Sequence, residues 1–164
     1  MSRLPFILLL TVCSSCSMQS NGVKDAELTG LQKKSAKELF AIMKIKDTIN
    51  MGDPVELTFT IYNHTDSVKR VLKWQTPFEP LMSKYLDVQN DQEQEAIYSG
   101  PMAKRMMPPP ASAYLTLEPM DSLVAKIDIL KGYTLEKPGK YTITYTSEEM
   151  NGVKVLQPVS FVYK

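Results

Sequence analysis

Apolar and polar residues alternate with a period of two along much of this chain. Val55, Leu57, Phe59 and Ile61 alternate with Glu56, Thr58, Thr60 and Tyr62. Tyr141, Ile143 and Tyr145 alternate with Lys140, Thr142, Thr144 and Thr146, and Leu123, Ala125, Ile127 and Ile129 form a third strip. Successive side chains of a strand point to opposite sides, so each strip predicts a strand with one buried face. Shorter candidates are Phe40–Lys46, Val68–Trp74, Tyr85–Val88, Ala113–Leu117 and Val155–Tyr163. Turn-forming groups separate them: Asn50-Met-Gly-Asp-Pro54, Asn63-His-Thr-Asp66, Pro119-Met-Asp121, Lys137-Pro-Gly139 and Asn151-Gly152. Asn151-Gly152 carries the strongest hairpin signal, because both residues tolerate the positive φ of a type I′ turn. Seven to nine short strands at roughly ten-residue spacing predict an all-β, immunoglobulin-like antiparallel β-sandwich. Trp74 is expected at the centre of its core.

The first residues read as a targeting segment. Arg3 supplies a positive charge, and Leu4 to Val12 is an apolar run interrupted by Pro5 and Thr11. The run is too short to span a bilayer, which takes about 20 apolar residues. Cys13-Ser-Ser-Cys16 follows and holds both cysteines of the chain. Two small serines before Cys16 resemble a bacterial lipoprotein processing site. Residues 1–15 are therefore expected to be a signal peptide and Cys16 the lipid-modified N-terminus. Cys13 fits less well because Val12 is bulky; an ordinary secretory peptide with an incidental cysteine is the alternative. Several acyl chains on Cys16 would hold the protein firmly to the membrane of a bacterial cell envelope, facing the periplasm or the surface. Residues 16–37 are polar and read as a tether, with a short helix between Leu28 and Leu39 as the alternative. Residues 38–164, about 125 residues, suit one domain with a real hydrophobic core and no structural disulfide.

Charge adds little. Losing Arg3 takes the 19 basic residues to 18, against 18 acidic ones, so no basic face argues for nucleic acid or for electrostatic membrane binding. Catalytic chemistry is equally poorly represented. A zinc protease site needs two histidines and a carboxylate base, and this chain has one histidine, His64, in a turn-like setting that predicts a solvent-facing residue. There is no Gly-x-Ser-x-Gly elbow, no phosphate-cradling glycine loop and no cysteine outside the targeting segment. The acidic residues Glu148, Glu149 and Asp91 to Glu95 read as solvated loop charges. The expectation is a non-enzyme with no cofactor and no metal. Asp47-Thr-Ile49, Asp66-Ser-Val68 and Asp121-Ser-Leu123 match a pattern used for O-glycosylation in some envelope bacteria, or are ordinary turn starts. Asn63-His-Thr65 fits an N-glycosylation sequon, which a bacterial lipoprotein would rarely use.

Three stretches carry a family resemblance. They are Val71-Leu-Lys-Trp-Gln-Thr-Pro-Phe-Glu-Pro-Leu81, Tyr98-Ser-Gly-Pro-Met-Ala-Lys-Arg105 and Tyr114-Leu-Thr-Leu-Glu-Pro119, followed by a weaker ending over Gly132 to Tyr145. Together they resemble the non-catalytic N-terminal domain that precedes the protease in deuterolysin-type (aspzincin) zinc metalloendopeptidases, including the lysine-specific ones. The likeness runs from about Val55 to Tyr145. The catalytic domain would be expected to begin where this chain ends, at Lys164, so the resemblance implies the accompanying module alone on a lipid anchor. It also implies the same sandwich fold and a propeptide-like role, assisting folding or keeping a protease inactive. A bacterial intracellular proteinase inhibitor is a looser likeness.

The resulting expectation is a protein-binding module whose partner is a metalloprotease or another envelope protein. Two loops are candidates for contact. Thr76 to Met82 is stiffened by proline and carries Phe78 and Glu79; Phe78 either meets a partner or plugs one end of the sandwich. Pro101 to Pro110 ends in three prolines that favour an extended polyproline conformation. Its Met102, Met106 and Met107 offer an adaptable apolar surface, and Lys104 and Arg105 offer a basic side chain to a lysine-preferring cleft. The alternative is a crossover loop with its methionines packed inward. The competing function is a structural or adhesive envelope module binding a surface partner or glycan, for which Tyr62, Tyr114 and Tyr133 are candidate exposed rings.

Overall fold

The computed structural model describes residues 38–164. The expected signal peptide, Cys16 and the tether lie outside the described residues. In chain order the strands are β1 (Leu39–Lys44), β2 (Thr48–Ile49), β3 (Glu56–Asn63), β4 (Lys69–Leu72), β5 (Leu86–Asn90), β6 (Ile97–Tyr98), β7 (Tyr114–Leu117), β8 (Ser122–Asp128), β9 (Tyr133–Thr134), β10 (Gly139–Tyr145), β11 (Lys154–Val155) and β12 (Val159–Tyr163). Eight of them are four residues or longer; β2, β6, β9 and β11 are two-residue ladders.

Two four-stranded sheets form the body, in the orders β11-β1-β3-β8 and β2-β12-β10-β5. The long ladders are antiparallel, with Ala41 opposite Ile61, Phe59 opposite Ala125 and Ile143 opposite Val88. Only the two-residue edge strands β2 and β11 pair in parallel. Alternation gives each sheet one apolar face. Ala41, Met43, Leu57, Phe59 and Ile61 from the first sheet share a core with Leu86, Val88, Tyr141, Ile143, Phe161 and Tyr163 from the second. The Phe59 ring meets Tyr145 at 5.5 Å between centroids. This arrangement is an immunoglobulin-like β-sandwich. Two short ladders, β4–β7 and β6–β9, complete the described residues.

Three local expectations are corrected. Trp74 is buried, but it packs with Leu72, Ala113 and Tyr114 in a cluster separate from the main core. Strand β4 has left both sheets and pairs only with β7, carrying Trp74 with it. Asn151-Gly152 is not a hairpin. Glu148–Asn151 forms one helical turn, α1, and Gly152 closes it at φ 72 with its N–H on the Glu148 carbonyl (2.7 Å). The left-handed conformation expected of Gly152 is present, used as a helix cap. Third, the predicted strand Val155–Tyr163 is split, because Leu156 to Pro158 lies between β11 and β12.

Asn63 ties the pieces together. It is fully buried at the end of β3, and its amide shares two N–H donors among the carbonyls of Ser67 (2.9 Å), Leu117 (3.2 Å) and Glu118 (2.9 Å). Its Oδ1 accepts from the Thr65 hydroxyl at 2.7 Å. The sequon asparagine is therefore a structural crosslink, not an accessible acceptor. Asn63→Ala removes one buried and two partly buried hydrogen bonds at once and is expected to cost about 3 kcal/mol, read as a lower urea midpoint at unchanged slope.

Candidate functional site

The two candidate loops belong to one assembly. Residue Thr76 shapes the first: its hydroxyl donates to the Lys73 carbonyl at 2.6 Å and accepts from the Phe78 N–H at 3.2 Å. Gln75 enters this turn at φ 58, and its N–H donates to Glu79 Oε1 at 2.9 Å. The Glu79 side chain is only 7% exposed. A carboxylate withdrawn from water needs a paired cation and hydrogen bonds. Arg105, from the second loop, supplies both through Nη2 on Glu79 Oε1. Its guanidinium also lies 5.0 Å from the Trp74 ring centroid, a cation–π arrangement. The Ala103 N–H donates to the Met82 carbonyl at 2.7 Å. The Tyr98 hydroxyl lies 3.1 Å from the Leu81 carbonyl oxygen and 2.8 Å from that of Pro101. Gly100 permits this closeness, since a Cβ there would sit 2.7 Å from the Tyr98 ring.

The far side of the first loop is fixed as well. The Tyr145 hydroxyl donates to the Gln75 carbonyl at 3.0 Å, and Asn151 Nδ2 donates to the Trp74 carbonyl at 3.3 Å and to the Tyr145 oxygen. Burial pushes the Tyr145 phenol up to about 12, with the Asn151 donor pulling the other way. Tyr133 and Tyr85 are also pushed well above the ordinary tyrosine range, chiefly by burial.

Against this geometry the expected contact residues divide. Phe78 is half-buried against the core, edge-on to Phe59 at 6.4 Å, so it plugs the sandwich. Glu79 and Arg105 are spent on each other. Met102, Met106 and Met107 point outward at 72%, 83% and 74% exposure, which overturns the inward packing alternative, and Lys104 is exposed beside them. The proline run is bounded by a cis Met107–Pro108 peptide bond before it and a 3-10 turn, Ala111–Ala113, after it, and Pro110 itself is extended at φ -66 and ψ 158. The sequence gives no sign that Trp74, Tyr98, Tyr145 and Asn151 belong to this site. Their roles depend on partners far along the chain, and no local pattern announces them.

Of the three candidate exposed rings, Tyr133 is buried and Tyr62 and Tyr114 are half-buried. Tyr133 is buried with its hydroxyl on the Leu86 carbonyl (2.7 Å), Tyr114 is covered by the Arg70 guanidinium (4.6 Å), and Tyr62 stacks on Phe40 (5.2 Å). His64 is half-buried and edge-on to Phe40 at 5.0 Å, rather than facing solvent. Among the described residues no group of three or more His, Cys, Asp or Glu could hold a metal ion, and no helix is long and apolar enough to cross a membrane. Two surface clefts, of about 350 and 530 Å³, share no lining residue with either loop.

No protein-family description matches the chain, and no curated protein does. Among solved structures it is similar to the CARDB domain of a Pyrococcus furiosus protein, at 15% identity over 76% of this chain and 93% of that one, with a TM-score of 0.37. It is also similar to the Pseudomonas fluorescens alkylpurine DNA glycosylase AlkC, at 12% identity over 87% of this chain, with a TM-score of 0.38. The match spans 35% of the glycosylase. Neither likeness carries a function to this chain.

Arg105→Ala leaves the Glu79 carboxylate buried without its cation and is expected to cost about 2–3 kcal/mol. The neighbouring Lys104→Ala should stay within about 0.5 kcal/mol; thermal melts of the two variants check the contrast. Alkaline pH tests the buried phenols. A folded pKa above the unfolded value of 10.0 stabilises the native state fully below pH 10, and the contribution is lost as pH rises through about 12. The urea midpoint should therefore fall between pH 10 and 12, less steeply in Tyr145→Phe.

Proposed function

We propose that this domain is a non-catalytic, lipid-anchored envelope module that binds a protease, most specifically a deuterolysin-type metalloendopeptidase, as an inhibitor or propeptide-like folding helper. The observation that carries the reading is the exposure of Met102, Met106 and Met107 on a loop whose base is clamped by Arg105, Glu79 and Trp74. Three large apolar side chains in water at one short segment are a contact surface in search of a partner. A loop already fixed at its base loses little freedom on binding. Flexible thioethers then adapt to the cleft they enter. Inhibition by such a loop needs no catalytic group. Arg105 is committed internally, which leaves exposed Lys104 as the basic side chain for a lysine-preferring cleft. Acyl chains on Cys16 would keep the module at the membrane where its partner works.

The test is a titration of the protein into a purified lysine-specific aspzincin endopeptidase, with peptide hydrolysis and refolding yield as readouts. Inhibition or improved refolding is expected. The triple substitution Met102→Ser, Met106→Ser, Met107→Ser should weaken the effect at least tenfold, about 1.4 kcal/mol, without lowering the melting temperature. Neither inhibition nor refolding assistance at protein concentrations on the order of 10 µM would sink the protease reading and favour the structural or adhesive envelope role.

A further inference from the structure

A β-sheet edge exposes a row of unpaired N–H and C=O groups, and proteins shield such edges by shortness, charge or cover. Three of the four edges of the two main sheets are shielded. Strands β2 and β11 are two residues long. Strand β5 is covered by the following segment, through Ala96 N–H on the Val88 carbonyl (2.7 Å) and Asn90 N–H on the Gln94 carbonyl (3.0 Å). Strand β8 is different. It runs seven residues, Ser-Leu-Val-Ala-Lys-Ile-Asp, without glycine or proline, and among the described residues no strand pairs with its outer side.

The register shows which groups face out. Asn63 N–H bonds the Asp121 carbonyl and Ile129 N–H the Val55 carbonyl. The antiparallel ladder between them therefore uses the backbone of Leu123, Ala125 and Ile127 toward β3. The backbone groups of Val124 and Lys126 point to the open edge, and Val124 is itself 58% exposed. The charges that would guard this edge are engaged within the chain. Lys126 Nζ is paired with Glu56 at 2.8 Å, and Asp128 Oδ1 accepts from the N–H groups of Val55 (3.0 Å) and Leu130 (3.1 Å).

We infer that β8 is a seam between two copies of this chain. The strand is self-complementary when it pairs antiparallel about a twofold axis at Ala125. Val124 then meets Lys126 of the other copy as a hydrogen-bonded pair on each side of the axis, while Ser122, whose N–H is held by Asp121 Oδ1 at 2.7 Å, lies opposite Asp128 at the margin of the seam. On the core-facing side half-buried Leu123 lies opposite half-buried Ile127, and Ala125 opposite its own counterpart. No like charges stand opposite each other, and the Lys126 stem covers the exposed Val124. The β11-β1-β3-β8 sheets of the two copies become one continuous sheet across the dimer. The seam is independent of the methionine loop, so its fate and that of the protease reading are separable.

Sedimentation of the full chain over a range of concentrations, with amide hydrogen exchange, tests the seam. A concentration-dependent dimer is expected, with Val124 and Lys126 amides protected only in the dimer. Val124→Pro removes an outward N–H and no ladder bond to β3, so it should weaken the dimer more than tenfold while the monomer stays folded. Val124→Lys places lysine opposite Lys126 twice and should weaken it roughly three- to tenfold, whereas Val124→Glu should tighten it. A chain that stays monomeric at concentrations on the order of 100 µM, or a dimer indifferent to all three substitutions, overturns the seam. A dimer weakened by the proline but blind to the two charge changes overturns the register.

Discussion

Strand β3 is bonded along both edges and buried on one face, and the domain is organised by that double demand. Its even-numbered backbone groups ladder to β1 and its odd-numbered ones to β8, as the bonds from His64 to Glu38 and from Asn63 to Asp121 establish. The same odd residues, Leu57, Phe59 and Ile61, send their side chains into the core. A slip of one residue would turn all three toward water and break both ladders, so the register is fixed by burial and hydrogen bonding at once. Asn63 extends the constraint beyond the sheet by holding carbonyls of the β7 end and of the Thr65–Ser67 turn.

The loop assembly obeys a separate logic. Burying Glu79 is unfavourable alone, and the arrangement is tolerable because Arg105 and the Gln75 N–H compensate it together. That makes the pair a coupler as much as a stabiliser: the turn at Thr76 and the methionine segment are held in one geometry or lost together. Trp74 contributes by covering the guanidinium. Its displacement from the main core, which looks wasteful for the chain's single tryptophan, places it where the loops meet.

Much of the sandwich was legible because a two-residue period is a local signal. Strands around Leu57, Tyr141 and Ala125 could be read from a few neighbours, and their observed ends fall within a residue or two of expectation. The loops were half legible. Exposed methionines between prolines suggest a surface, but nothing near Arg105 reveals that Glu79, 26 residues earlier, will claim its charge. Asn151-Gly152 misled for a related reason. The local preference for positive φ was real at Gly152, and the chain used it to end a helical turn whose Asn151 side chain reaches Trp74, 77 residues away. Within the loops, Phe78 takes the plugging role of the two its sequence allows, and Glu79 and Arg105 pair with each other.

The pairing of β2 with β12 has a consequence for how this domain comes into being. Thr48 and Ile49 lie beside Val162 and Tyr163, and the Met51 N–H bonds the Lys164 carbonyl. The second sheet is therefore closed by residues from opposite ends of the domain, and β10 has no partner on one side until β12 is present. A nascent chain cannot finish this sheet from the ribosome outward. It must wait for β12, more than 100 residues after β2, and folding is then dominated by long-range pairing, which is slow. A chain lacking β12 would have an incomplete sheet with β10 as a new open edge, an aggregation-prone product rather than a working domain.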